Sequence, residues 1–187
     1  TMLRSELKNS PVTVYMIFHG INPKEQPKFE KQARKVEPYQ QIHLKIITLR
    51  NDFKKSGLKN VDLIVPPVFK PWELPVDKHL SFKPPIKIGF FGQFRKEKNL
   101  GFFLEAFTKA EFSVPVELIV QGATAKPEDG ELFEKFAKDY SQYSNISFLH
   151  QNLIGVEWQK ALLGVDAIMM PYAAERYRYH WGAMLFT

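Results

Sequence analysis

The chain of 187 residues contains no cysteine, which excludes disulfide bonds, thiolate catalysis and metal sites built on cysteine. No apolar run comes near the ~20 residues that a membrane-spanning helix needs. The opening segment, TMLRSELKNS, lacks the apolar core of a signal peptide. Together these absences favour a cytoplasmic protein. Hydrophobic residues make up 44% of the sequence, enough to build a packed core.

Positive charge is concentrated in one stretch. Residues 24–60 hold ten lysines and arginines against four acidic residues, and ten minus four equals the net charge of +6 for the whole chain. A solvated helix face and attraction to an anionic membrane surface both fit this pattern. No nucleic-acid-binding motif or interleaved stacking aromatics accompany the basic residues, so nucleic acid is not an expected partner.

Proline divides the sequence. Residues 66–85 hold six prolines and almost no hydrophobic periodicity. Since proline fixes φ and removes a backbone donor, this stretch is predicted to be a linker rather than a helix. We therefore expect a partial N-terminal α/β domain over residues 1–66, a linker over 67–85 and a second α/β domain over 86–187.

Short apolar runs alternate with helical patterns on both sides of the linker. Before it, the sequence predicts a buried strand over 12–18, a helix over 27–40, strands over 42–48 and 61–65, and a short helix over 51–56. After it, the sequence predicts strands over 86–91, 116–122, 145–150 and 166–171, with helices over 99–110, 128–140 and 156–163. Strands that are apolar on both faces and separated by helices are typical of a parallel sheet covered on each side. The predicted fold class is α/β, a Rossmann-like doubly wound parallel sheet preceded by part of a second α/β domain.

Ligands of open α/β sheets bind at the carboxyl ends of the strands, and two such ends carry glycine. Gly92 ends the first strand of the second domain, and Arg95, Lys96 and Lys98 follow it before the next helix. A glycine allows close backbone approach, and cations at a helix N-terminus favour an anionic ligand. A polar turn with exposed, solvated lysines is the alternative. Gly122 ends the next strand and suggests a second close approach, with a plain turn as the alternative.

A third strand end is polar and aromatic. After Pro171 the apolar strand gives way to a loop that holds Glu175, Arg176 and Arg178, with Gly182 further on. Charged and aromatic residues at this density after a core strand indicate a site. A surface loop with chance ion pairs is the alternative.

The three strand ends together resemble the donor domain of the retaining GT-B glycosyltransferases (glycosyltransferase group 1). In that family the first segment reads Gly-Arg-Leu-x-x-x-Lys-Asn, and here residues 92–99 read GQFRKEKN before an apolar helix. The resemblance implies that Lys98 contacts the donor diphosphate. Gln93 stands where the family has arginine, and Arg95 is the candidate replacement for the missing charge. Gln121-Gly122 partly matches the family's Val-Gly-x-Gly.

Other segments carry the same resemblance. NISFLHQNL resembles the family's Asn-Val-x-Phe-x-Gly stretch, which implies that Leu153 and Ile154 lie beside the nucleotide base. DAIMMPYAAE resembles the strand and first glutamate of the Glu-x7-Glu motif, so Glu175 matches the glutamate near the transferred sugar. The ribose-binding second glutamate is absent, because Ala183 stands at that spacing. VYMIFHG resembles the N-domain strand that ends in a histidine near the sugar, here His19, with a capping or surface histidine as the alternative.

The resemblance implies transfer of a sugar from a nucleoside-diphosphate sugar to a hydroxyl acceptor, a glycan or lipid-linked sugar, with retained configuration. No metal or cofactor is expected, since the sequence has no Asp-x-Asp and no His/Glu cluster at ligand spacing. The alternative is a non-catalytic Rossmann-like binding module or a decayed subunit. Family enzymes are much longer, so a fragment is expected, cytoplasmic or at the inner face of a membrane. The predicted site residues are Glu175 and His19 for catalysis, and Gly92, Gln93, Arg95, Lys98, Gly122, Leu153, Ile154 and Gly182 for donor binding.

Overall fold

The computed structural model describes residues 11–47, 57–65 and 83–173. These residues fall into two compact units, one holding 11–47 and 57–65 and the other holding 83–173. Each unit contains a parallel sheet with helices, which confirms the predicted α/β, Rossmann-like fold class. The short helix predicted over 51–56 lies outside the described residues.

The first unit contains a three-stranded parallel sheet. Its elements are β1 (Val14–Phe18), α1 (Gln26–Val36), β2 (Ile42–Ile47) and β3 (Val61–Ile64), and the strand order is β1-β2-β3. Pro27 lies in the first turn of α1, where its missing N–H is tolerated. The helix ends at Val36, earlier than predicted. Glu37 still has helical dihedral angles, but Pro38 has no backbone N–H to donate the next helical hydrogen bond.

The prediction that β1 is a buried strand is wrong. The side chains of Tyr15, Met16 and Ile17 are exposed. Because successive residues of a strand point to opposite faces, neither face of β1 is fully covered there. The core of this unit lies instead around β2, where the side chains of Ile42, Leu44 and Ile46 are buried together with Ala33 of α1, Val61 of β3, Ile21 and Leu58. Apolar composition therefore identified the strand but not how much of it is covered.

The second unit contains a four-stranded parallel sheet in the order β6-β5-β4-β7. Its strands are β4 (Ile86–Phe90), β5 (Val116–Gly122), β6 (Ile146–His150) and β7 (Ala167–Ile168), and its helices are α2 (Leu100–Lys109), α3 (Pro127–Asp139) and α4 (Gly155–Leu163). The chain moves outward from β4 to β6 and then returns to the other side of β4. The strand order thus reverses between β4 and β7, which is the position where doubly wound sheets bind ligands.

Aromatic packing fills one face of this sheet. Phe103, Leu104 and Phe107 of α2 and Phe133 of α3 are buried against β4 and β5. The rings of Phe94 and Phe133 meet edge to face, with centroids 5.4 Å apart. These helical residues show the spacing of an amphipathic helix, which explains why α2 and α3 lie within a residue of their predicted bounds.

The last strand is shorter than predicted. Only Ala167 and Ile168 pair with β4 as a strand, although residues 166–171 are apolar enough for a longer one. Asp166 fixes its start, since its carboxylate accepts a hydrogen bond from the Lys87 N–H at 2.9 Å. The Met169 N–H donates to the carbonyl of Gly89 at 2.8 Å, after which the chain leaves the sheet.

Candidate functional site

The turn after β4 is attached to the end of β5 by backbone hydrogen bonds. The Phe94 N–H donates to the carbonyl of Ala123 at 2.7 Å, and the Ala123 N–H donates to the carbonyl of Gly92 at 3.3 Å. Gly92 has φ of 101°, a left-handed conformation that favours glycine. The glycine is therefore needed for the direction that the chain takes out of the sheet.

The amide of Gly92 is already bonded within the protein. Its N–H donates to Oε1 of Gln121 at 2.8 Å, so this donor is used within the protein. The same Gln121 side chain donates through Nε2 to the carbonyl of Gln151, just beyond β6. Sequence patterns predicted no role for Gln121, yet it is a single polar residue in the apolar run LIVQG, which is a detectable signal.

Lys98 is buried, which argues against the alternative of exposed, solvated lysines at this position. Only 6% of the residue is accessible, and Nζ donates to the carbonyl of Phe91 at 3.2 Å. The burial follows from a 3-10 turn over Lys96–Lys98 that ends at Asn99, whose φ of 55° is tolerated by asparagine. This turn holds the lysine at the carboxyl end of β4 rather than on the outer surface.

The Lys98 ammonium lacks a counter-ion in the part of the chain that the structure describes. Nζ lies 5.9 Å from the ring centroid of Phe90 and 5.1 Å from that of Tyr172, and no described carboxylate reaches it. Burial, and then the nearby Arg95 guanidinium, lower the pKa of Lys98 from 10.5 to about 8. The group is still mostly charged at pH 7, and a buried charge of this kind is stabilised by a bound anion.

The segment after β7 contacts the same turn. The Ala173 N–H donates to the carbonyl of Glu97 at 2.9 Å, one residue before Lys98, and Tyr172 lies beside the ammonium. Lys98 is therefore located between the ends of β4 and β7, where the strand order reverses. Glu175 and Gly182, further along this segment, lie outside the described residues, as do Arg176, Arg178, His180 and Ala183.

The predicted residue Arg95 brings a second positive charge near Lys98, and the predicted residue Gln93 accepts a hydrogen bond from it. Arg95 is half-buried, and its Nη2 donates to Oε1 of Gln93 at 2.9 Å. The guanidinium is thus located next to the position where the resembling family carries arginine. Arg95 also contributes to the lowered pKa of Lys98, so the two cations repel each other at this edge.

The remaining predicted residues differ in their surroundings. Gly122 has a packing reason to be glycine, because an added Cβ would lie 2.4 Å from the Phe133 ring. Leu153 is half-buried, and Ile154 is 71% exposed immediately before α4. His19 is exposed in the bend after β1 and belongs to the first unit.

Within residues 11–47, 57–65 and 83–173, no group of three or more His, Cys, Asp or Glu side chains could hold a metal ion. None of the helices formed by these residues combines the length and the apolar character needed to cross a membrane. Comparison with models of known protein families and with curated proteins finds no match to this chain.

Proposed function

We propose that the second unit is the nucleotide-sugar-binding part of a retaining GT-B-type glycosyltransferase. The observation that carries the proposal is the buried Lys98 ammonium at the switch point, without a carboxylate partner among the described residues. Doubly wound sheets bind their ligands at this position, and a cation there fits an anionic group such as a diphosphate. The match of residues 92–99 to the family's lysine-containing segment supports the same ligand.

The reaction would place growing negative charge on the diphosphate as it leaves the sugar. Lys98 would stabilise that charge, and Arg95, beside Gln93, would supply the second cation. A preorganised cation in a buried position is more effective than one in water, because it needs little reorganisation during the reaction. An anion beside Lys98 would also favour its protonated form and offset the effect of burial on its pKa.

The roles of Glu175 and His19 come from the resemblance alone. Glu175 would orient the transferred sugar, and His19 matches the histidine that the family carries near that sugar. The acceptor would be a hydroxyl of a glycan or of a lipid-linked sugar. No metal ion is required in this scheme, because the cations of the protein take the place of a metal at the diphosphate.

A non-catalytic binding module is the second candidate. Gln93 occupies the position of the family's arginine, and it binds Arg95 through a neutral amide. Ala183 stands in place of the ribose-binding glutamate. Both changes remove polar contacts to the donor, which would favour a protein that binds a nucleotide without transferring a sugar.

The basic stretch suggests where such an enzyme would work. Lys28, Lys31 and Lys35 of α1 are exposed and fall at spacings of three and four residues, which places them on one side of the helix. This face would attract the anionic surface of a cytoplasmic membrane leaflet by electrostatics. A lipid-linked acceptor would then be held near the protein.

A turnover assay tests the proposed function. UDP, GDP, ADP and dTDP donors that carry a labelled sugar are each incubated with the protein and a glycan or lipid-linked hydroxyl acceptor, with and without excess chelator. Transfer of the label to the acceptor is measured together with release of nucleoside diphosphate. Release that persists in chelator supports a metal-independent transferase. Binding without release supports the binding module, and the absence of both binding and release contradicts both candidates.

A further inference from the structure

Gln121 is a polar side chain at one of the most buried positions of the sheet. It is 1% exposed and lies on β5, the strand between β4 and β6. A buried amide costs free energy unless its donors and acceptor are bonded. Here Oε1 accepts from the Gly92 N–H at 2.8 Å, and Nε2 donates to the Gln151 carbonyl.

Both bonds are made where the flanking strands have already ended. β4 ends at Phe90 and β6 ends at His150, whereas β5 continues to Gly122. The Gln121 side chain therefore bonds to turn residues on both sides, beyond the last residues of β4 and β6. One turn leads to Arg95 and Lys98, and the other leads to Leu153 and Ile154.

We propose that Gln121 is a positioning residue that fixes these two turns relative to each other and thereby sets the affinity for a nucleoside diphosphate. The choice of ligand rests on the proposed function, whereas the joining of the two turns rests on the hydrogen bonds alone. Gln121 touches no ligand in this account. It acts by holding the Gly92 turn, with its cations, at a fixed distance from the turn expected beside the base.

Two substitutions separate positioning from general stability. Gln121→Leu has similar length and removes both hydrogen bonds. Gln121→Glu keeps an acceptor for the Gly92 N–H, and when protonated its hydroxyl can donate to the Gln151 carbonyl. The ionised carboxylate cannot donate and faces a carbonyl oxygen. Burial raises the pKa of the introduced carboxyl, so its change from the protonated to the ionised form falls at a pH where the folded protein can be measured.

The first readout is the hydrogen exchange of the Gly92 amide, measured by NMR without ligand. The protection of this amide, relative to its intrinsic exchange rate at the same pH, should be high in the parent and low in Gln121→Leu. It should stay high in Gln121→Glu, whose carboxyl accepts from the Gly92 N–H in both protonation states. Gln151→Leu is the matched control, because it alters an exposed glutamine while keeping the carbonyl that Gln121 uses. It should behave as the parent does.

The second readout is the affinity for UDP, GDP, ADP and dTDP across the same pH range. Gln121→Leu should bind about tenfold or more weakly, and Gln121→Glu should regain the parent affinity at low pH. Parent-like affinity in Gln121→Leu, despite fast Gly92 exchange, would overturn the positioning role. If the parent itself binds none of the four nucleotides, the proposed function fails. Parent-like exchange of the Gly92 amide in Gln121→Leu would separately overturn the claim that Gln121 joins the two turns.

Should Gln121→Leu not fold, Gln121→Glu supplies the same comparison within one protein. Its affinity at low and high pH, divided in each case by the affinity of the parent at the same pH, reports the proton that the Gln151 carbonyl needs. A Gln121→Glu profile that runs parallel to that of the parent at all pH values would overturn the proposal. A profile that departs from the parent only at high pH supports it.

Discussion

The Lys98 ammonium lies 5.1 Å from the ring centroid of Tyr172. Lys98 ends the turn after β4 and Tyr172 follows β7, so this contact joins the two strand ends between which the strand order reverses. A cation–π contact contributes about 0.5–2 kcal/mol, less than the cost of removing an ammonium from water. The contact therefore locates the cation without neutralising it.

Lys98 should lower the stability of the protein at neutral pH. Its pKa is about 8 in the folded protein, against 10.5 for an ordinary lysine, so between these pH values the unfolded chain binds more protons than the folded chain. The stability cost is fully present below pH 8 and disappears as the pH rises toward 10.5. At 1.36 kcal/mol per pH unit, the difference corresponds to at most about 3 kcal/mol.

Lys98→Met replaces the lysine with an unbranched, apolar side chain that has no titratable group. We expect this variant to be more stable than the parent at pH 7, with the advantage shrinking between pH 8 and 10.5. Denaturant unfolding of both proteins over this pH range measures their free energies of unfolding. The difference between the two proteins at each pH cancels the contribution of the other lysines and of the tyrosines. A difference in stability that is the same at every pH would show that the lysine is not desolvated.

The basic face of α1 should bind anionic membranes. Binding to vesicles that contain anionic lipid should fall steeply with added salt, and it should fall when Lys28, Lys31 and Lys35 are changed to glutamate. The matched control changes three exposed lysines of the second unit to glutamate, which gives the same change in net charge: Lys83, Lys135 and Lys138. Equal losses in both variants, or equal binding to neutral vesicles, would favour a merely solvated face.

Glu175 should act in the transition state. Glu175→Gln keeps the size of the side chain and most of its hydrogen bonding but removes the charge that would stabilise a positive sugar ring. In a complete enzyme that turns over, we expect kcat to fall about a hundredfold with little change in KM, roughly 2.7 kcal/mol. Unchanged turnover with a small loss of thermal stability would make Glu175 an ion-pair partner of Arg176 or Arg178, an exposed interaction worth about 0–1 kcal/mol.

Local patterns in the sequence predicted most of the elements of the second unit. The predicted bounds of β5 match the structure, and those of α2 differ by one residue at each end, because the apolar spacing in these segments is set within the segment itself. The exposure of β1 could not be predicted in this way. Apolar composition indicates a strand, but whether its face is covered depends on which other elements pack beside it.

The candidate site was predicted in part. Gly92, Arg95 and Lys98 were found from the charges that follow a strand, yet the burial of Lys98 depends on the 3-10 turn and on Tyr172, which comes from a distant part of the sequence. The role of Gln121 also depends on long-range geometry. Its two partners lie 29 and 30 residues away along the chain, and only the parallel register of β4, β5 and β6 brings them together.

The most direct test of the central claim is a calorimetric titration of UDP, GDP, ADP and dTDP into the parent, Lys98→Met and Lys135→Met. Lys135 is an exposed lysine of α3 and serves as the control for loss of one positive charge. We expect at least one nucleotide to bind the parent and Lys135→Met equally, and to bind Lys98→Met more weakly by about 1.5–3 kcal/mol, the range for a hydrogen bond to a charged group. Equal affinity in all three proteins, or no binding to the parent, would contradict the assignment of Lys98 as the diphosphate contact.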